Sequence, residues 1–273
     1  MLTHRDPPQV QRLVDRVTQG ADVAVVVHHD PRGPDLALRP SPQVHRVAEP
    51  VAASWGRIGL ARAVLTALTT ARTAVPELSW ALVVSGQDYP SRPMASIEQE
   101  LHGTDQDAFL RWFPIGDPAD DVIPWQARCR SRYLHSRRLP GSVHHVPAPR
   151  RHPFRDGLAL YVADMWPNLS AAALDHVLVQ RRRRPEIERY FATCQVPDEA
   201  LVPTLLLNDR DGLQVSNDGR RFIRWTPGAP HPETLTLADE PAIRAGDSFF
   251  ARKVDVERSA ELMDRLDDPV STA

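Results

Sequence analysis

Lysine is nearly absent from this chain: of its 33 Lys and Arg residues, only Lys253 is lysine. A compact ammonium on a flexible stem does not do the work of a planar guanidinium fork. A single lysine kept among arginines therefore reads either as a point charge for a narrow anionic site or as an ordinary solvated side chain. Cysteine is scarce as well. Cys129 and Cys194 could form one bond at most, and two free thiols is the default reading. No apolar run reaches the length of a membrane span, and Met1-Leu2-Thr3-His4-Arg5-Asp6 opens without a signal-peptide core. The expectation is a cytoplasmic protein, peripheral to a membrane at most. The Gly-x-Gly-x-x-Gly turn, the Lys-bearing phosphate loop and the Gly-x-Ser-x-Gly elbow are all missing, so dinucleotide, triphosphate and esterase chemistries lose their main support. Neither sign of charge dominates. A formal net charge of -2 argues against nucleic acid as a partner.

What is present is an ordinary globular composition, 42% hydrophobic and 25% charged over 273 residues. It is long enough for a single α/β domain over 1–273 with a substantial core. Val10, Leu13, Val14 and Val17 repeat at helical spacing within Pro8 to Thr18. Val23 to Val27 is a buried strand opening into His28-His29-Asp30-Pro31, and Trp80 to Val84 is a second one opening into Ser85-Gly86-Gln87-Asp88-Tyr89-Pro90. Ligands of open parallel sheets bind outside the carboxyl ends of strands, which places Asp30 and Asp88 where a ligand would sit. Helices are expected over Ile58 to Ala74, Ser96 to His102, Ser170 to Arg182, Glu199 to Leu207 with Pro203 shortening it, Leu237 to Ala245 and Val256 to Leu266. Strands are expected near Val44 to Ala48, Ala108 to Phe113, Tyr161 to Leu169, Arg220 to Trp225 and Ser248 to Arg252. Residues 116–155 dissolve into Pro, Arg, His and Gly and read as an irregular, acceptor-facing excursion.

Several residues could carry chemistry. Glu199 falls in the first turn of a helix, where the dipole favours an ionised carboxylate able to act as a general base; Asp198 and Glu199 are equally what any helix start prefers. Phe249-Phe250-Ala251 reads as a short buried strand delivering Lys253 to a cleft edge. Metal ligation has little support: neighbours in the pairs His28-His29 and His144-His145 point to opposite faces of a strand, and Asp209-Arg210-Asp211-Gly212 reads as a turn. Of the six tryptophans, Trp55, Trp112 and Trp166 lie beside polar turns and could stack on a sugar or base, while the others are core by default.

In order along the chain, Leu2-Thr3-His4-Arg5-Asp6-Pro7, Val27-His28-His29-Asp30, Ala53-Ser54-Trp55-Gly56, Ser85-Gly86-Gln87-Asp88-Tyr89-Pro90, Met165-Trp166-Pro167-Asn168-Leu169-Ser170, Pro197-Asp198-Glu199, Arg221-Phe222-Ile223-Arg224-Trp225 and Phe249-Phe250-Ala251-Arg252-Lys253 resemble the core-2/I-branching glycosyltransferases, the family of β-1,6-N-acetylglucosaminyltransferases and protein xylosyltransferases. The resemblance implies a GT-A-like α/β fold with a mixed, mostly parallel sheet flanked by helices. It also implies an inverting, metal-independent transfer of GlcNAc or xylose from a UDP-sugar to a hydroxyl of a glycan, protein or small molecule, giving a β-linkage with no bound cofactor. By matching position, Glu199 would be the base, with Lys253 and Arg221 neutralising the departing diphosphate. His28, Asp30, Trp55, Asp88 and Arg252 would bind the donor; Trp112, Trp166 and Asp198 would face the acceptor. The family's first strand is represented here by only Met1 and Leu2, which leaves open a later start or a lost strand, and with it a degenerate member that binds nucleotide-sugar or glycan without turnover. The lack of an anchor and of disulfides points to a bacterial member.

Overall fold

A computed structural model describes residues 1–138, 145–148, 150–210, 212–226, 228–229 and 231–268, so His144 and Asp211 of the motifs above lie outside the described residues. The fold is mixed α/β and divides into two compact units. One unit takes Met1–Glu49, Val84–Asp105 and the chain from Gly219 onward; the other takes Pro50–Val83 and Gln106–Asp218.

In the first unit, Val25–His29 is the central strand of a parallel ladder between Leu2–Thr3 and Val44–Arg46. Val25, Val26 and Val27 are all buried, as a strand covered on both faces requires. The strand starts later than its valine run suggests and continues through both histidines, because Leu2 and Thr3 pair with His28 and His29 and extend the ladder. A second ladder has Phe250–Arg252 at its centre, parallel to Arg221–Ile223 and antiparallel to Asp88–Pro90. Asp88 is thus not in a loop past a strand end; it is a strand residue opposite Arg252, completely buried. The helix Pro7–Thr18 buries Val10, Leu13, Val14 and Val17, the stripe visible in the sequence. Its buried Gln9 donates to the carbonyls of Gly86 (2.6 Å) and Val254 (3.1 Å), tying together the turns that carry Asp88 and Lys253.

In the second unit, Asn168–Ser170 lies antiparallel between Trp80–Leu82 and Ala108–Phe109, and Val215–Ser216 extends the sheet in parallel. The expected strands 108–113 and 161–169 are each broken: Trp112–Ile115 and Leu160–Ala163 form a separate antiparallel pair. Ser170 caps the helix Ala171–Arg183 by accepting from the Ala173 amide. The seven-residue helix Leu201–Leu207 is buried on every side, which its unbroken apolar sequence demands. Residues 116–155 correct the sequence reading, for Pro124–Leu134 is a helix. Its inward residues are Gln126, Cys129, Arg130 and Tyr133, helically spaced but not an apolar stripe. Cys129 and Cys194 are free and buried. Trp225 also departs from expectation: the strand stops at Ile223, and the indole beyond it is 55% exposed.

Candidate active site

The first unit assembles cations around one buried carboxylate. Register sets Asp88 opposite Arg252 and Ile223 beside Arg252, which carries Arg221 to the same patch. Nη1 of Arg221 lies 2.7 Å from Asp88 Oδ1, with both side chains essentially inaccessible, and Nη1 of Arg252 lies 4.0 Å from Oδ2. The amide (2.8 Å) and hydroxyl (2.5 Å) of Ser85 also donate to Oδ2. A charge this deep persists only when it is paired and hydrogen-bonded, and here both oxygens have donors. Arg221 and Asp88, read from sequence as ligand contacts, are placed against each other.

Lys253 follows directly and is half-buried. Its backbone is fixed on both sides, since its carbonyl accepts from Leu235 (2.8 Å) and its amide donates to Glu233 (3.3 Å). Among the described residues no carboxylate lies within 4.0 Å of its ammonium. Burial, then Arg252 and Arg5, push its pKa down, with Asp88 opposing. A cation held among cations is a ready partner for an anion. His28 is buried and its pKa is lowered, chiefly by burial, so it is neutral near pH 7. Asp30 is clasped by Arg32, whose amide, Nε and Nη2 all donate to it at 2.8 to 3.0 Å.

The second unit carries the other carboxylates. Pro197–Glu199 is a 3-10 turn separated by Ala200 from the helix Leu201–Leu207, so Glu199 does not occupy that helix's first turn as expected. Val196, just before it, has φ of 53°, a left-handed conformation that a β-branched side chain resists. Both of its backbone groups are held: its amide donates to Gly56 (3.1 Å), and its carbonyl accepts from the buried Tyr133 hydroxyl (2.6 Å). Gly56 has φ of 69°, a left-handed conformation that glycine adopts without strain. The contact brings the loop of Trp55, itself 74% exposed, onto the turn of Glu199.

Oε2 of Glu199 accepts from Nη1 of Arg132 at 2.7 Å, and its side chain is 30% exposed. Burial pushes its pKa up to about 7 against the pull of Arg132, while Asp198 adds to the rise. The expected helix-dipole effect has the opposite sign, and burial outweighs it. Asp198 is buried, its Oδ1 has no hydrogen-bond partner among the described residues, and burial raises its pKa to about 6. Trp112 packs edge-on against Tyr161 and under the Arg210 guanidinium; Trp166 is half-buried just before Asn168–Ser170. Arg132 and Tyr133, which hold and aim Glu199, were missed by sequence reading because they fall in the stretch without apolar period. Among the described residues no group of three His, Cys, Asp or Glu could hold a metal ion, and no helix is long and apolar enough to cross a membrane.

Residues 1–247 match the family model described as Core-2/I-Branching enzyme. Comparison with curated proteins returned no match.

Proposed function

We propose, for a chain that belongs to the core-2/I-branching enzyme family of GT-A-like glycosyltransferases, a metal-independent, inverting transfer of GlcNAc or xylose from a UDP-sugar to an acceptor hydroxyl. The observation that carries this reading is Glu199, a carboxylate raised to about 7 by burial and aimed by Arg132 at 2.7 Å. A general base works best with its pKa near the working pH, because it is then both ionised and basic enough to accept a proton. Glu199 takes the proton of the acceptor hydroxyl as that oxygen bonds to the anomeric carbon. The bond from that carbon to the diphosphate oxygen breaks, and the electron pair leaves with UDP. Lys253, with no carboxylate partner among the described residues, receives the new negative charge, while Arg221 and Arg252, two cations against the single charge of Asp88, add net positive potential. Trp55, Trp112, Trp166 and Asp198 are the proposed sugar contacts, the exposed Trp55 ring being the one most open to stacking.

The test pairs two variants in EDTA. Glu199→Gln is expected to lower kcat by about 10³-fold or more with UDP affinity unchanged. Lys253→Ala is expected to weaken UDP binding about tenfold or more, the loss of one charge-assisted contact. Full turnover by the Gln variant would remove Glu199 as the base, and UDP binding that needs Mn²⁺ would remove the metal-free reading.

A further inference from the structure

A second cationic feature uses none of the residues assigned to transfer. The helices Ile58–Ala74, Ala171–Arg183 and Pro185–Phe191, all in the second unit, line an open cleft of about 490 Å³. Glu188 is largely enclosed there. Nε of Arg62 donates to its Oε1 at 2.7 Å and Nε of Arg181 to its Oε2 at 2.9 Å. Their charges hold its pKa below the usual range although burial acts the other way. The carboxylate is therefore ionised at neutral pH and fixes two forks in place. Arg182 and Arg189 also line the cleft, and among the described residues neither has a carboxylate within 4.0 Å. Four guanidiniums thus share one acid.

Helix capping accounts for part of this, because the last turn of Ala171–Arg183 favours the cations Arg181 to Arg183. It accounts equally for Arg189, in the last turn of Pro185–Phe191, but not for Arg62, which sits near the N-terminal end of a different helix, where the dipole gives no reason for a cation. Three elements converge on one cleft with positive charge in excess. Guanidinium forks match the oxygens of a phosphate, whose charge suits the surplus, and Leu178 beside them offers an apolar wall to whatever the phosphate is attached to.

We infer that this cleft binds a phosphate group carried by a small organic ligand or a lipid headgroup, independently of the sugar-transfer residues. The test titrates inorganic pyrophosphate by calorimetry into the wild-type chain, Lys253→Ala, Arg182→Ala/Arg189→Ala and Arg182→Lys/Arg189→Lys, with co-sedimentation on phosphatidylglycerol vesicles as a parallel arm. Binding is expected to persist in Lys253→Ala, to weaken about tenfold or more in the double Ala variant at unchanged melting temperature, and to return in part in the double Lys variant. Sedimentation lost along with it assigns the phosphate to a lipid; pyrophosphate binding without sedimentation assigns it to a soluble ligand. Equal behaviour of wild type and the double Ala variant in both arms, or no binding by wild type in either, overturns the inference.

Discussion

The two units treat buried carboxylates in opposite ways. Asp88 is wholly inaccessible, yet Arg221, Arg252 and both donors of Ser85 surround it. Among the described residues Glu199 has a single arginine, and Asp198 beside it keeps one oxygen without a partner. Over-compensation turns an acid into a fixed counter-ion that spaces two arginines across a ladder. Under-compensation leaves the proton close to neutral pH, which is what a group that must exchange one needs. The difference separates framework from chemistry more sharply than residue type does.

Breaking the compensated side should give the largest change in stability. Asp88→Asn leaves Arg221 buried without its counter-charge, and the expected loss is about 3–5 kcal/mol in urea unfolding, the usual cost of stripping one partner from a buried pair. A loss under about 1 kcal/mol, typical of exposed pairs, would mean that water reaches this patch. On the other side, Tyr133→Phe removes only a hydroxyl, the one that holds the Val196 carbonyl at 2.6 Å. The cost should be about 1–3 kcal/mol, since the donor that remains to this carbonyl, the Glu199 amide at 3.4 Å, is too long to replace the hydroxyl in full. Releasing Val196 from its left-handed conformation should also lower kcat more than it raises KM for the acceptor. A variant that unfolds more easily but keeps kcat would show that Tyr133 supports the turn without aiming Glu199.

The same contrast explains what was legible in the sequence. Pro7–Thr18, Ile58–Ala74 and Ala171–Arg183 declare themselves by apolar residues at helical spacing, and the last by its Ser170 cap. Pro124–Leu134 has the spacing without the apolarity. Gln126, Arg130 and Tyr133 are buried because they donate to the carbonyls of Pro114, Gly116 and Val196, and such partners, set by tertiary structure, leave no periodic trace. The loop of Asp30 and the short strand of Lys253 were readable because a β-branched or aromatic run ends there. Arg132 was not, since its partner Glu199 lies 67 residues away. The upward direction of the Glu199 pKa shift was not legible for a related reason: the helix-end rule is local, whereas burial is a property of the folded chain.

Asp198 gives the smallest expected effect and the most specific one. Its pKa rises from an ordinary value of about 3.9 to about 6 through burial. Between those values the native state binds more protons than the unfolded chain, so this group's contribution makes stability fall as pH rises through the window and leaves the full penalty in place above it. Asp198→Asn keeps the shape and removes the charge. It should therefore stabilise the protein by about 1–2 kcal/mol at pH 8 and by almost nothing at pH 4, the opposite sign from Asp88→Asn at pH 8. Chemical denaturation at both pH values measures this directly. Glu199 is present in both chains, so the difference reports Asp198 together with its coupling to Glu199. A difference that does not change with pH would assign the effect to packing, and Asp198 would then belong with Asp88 as framework.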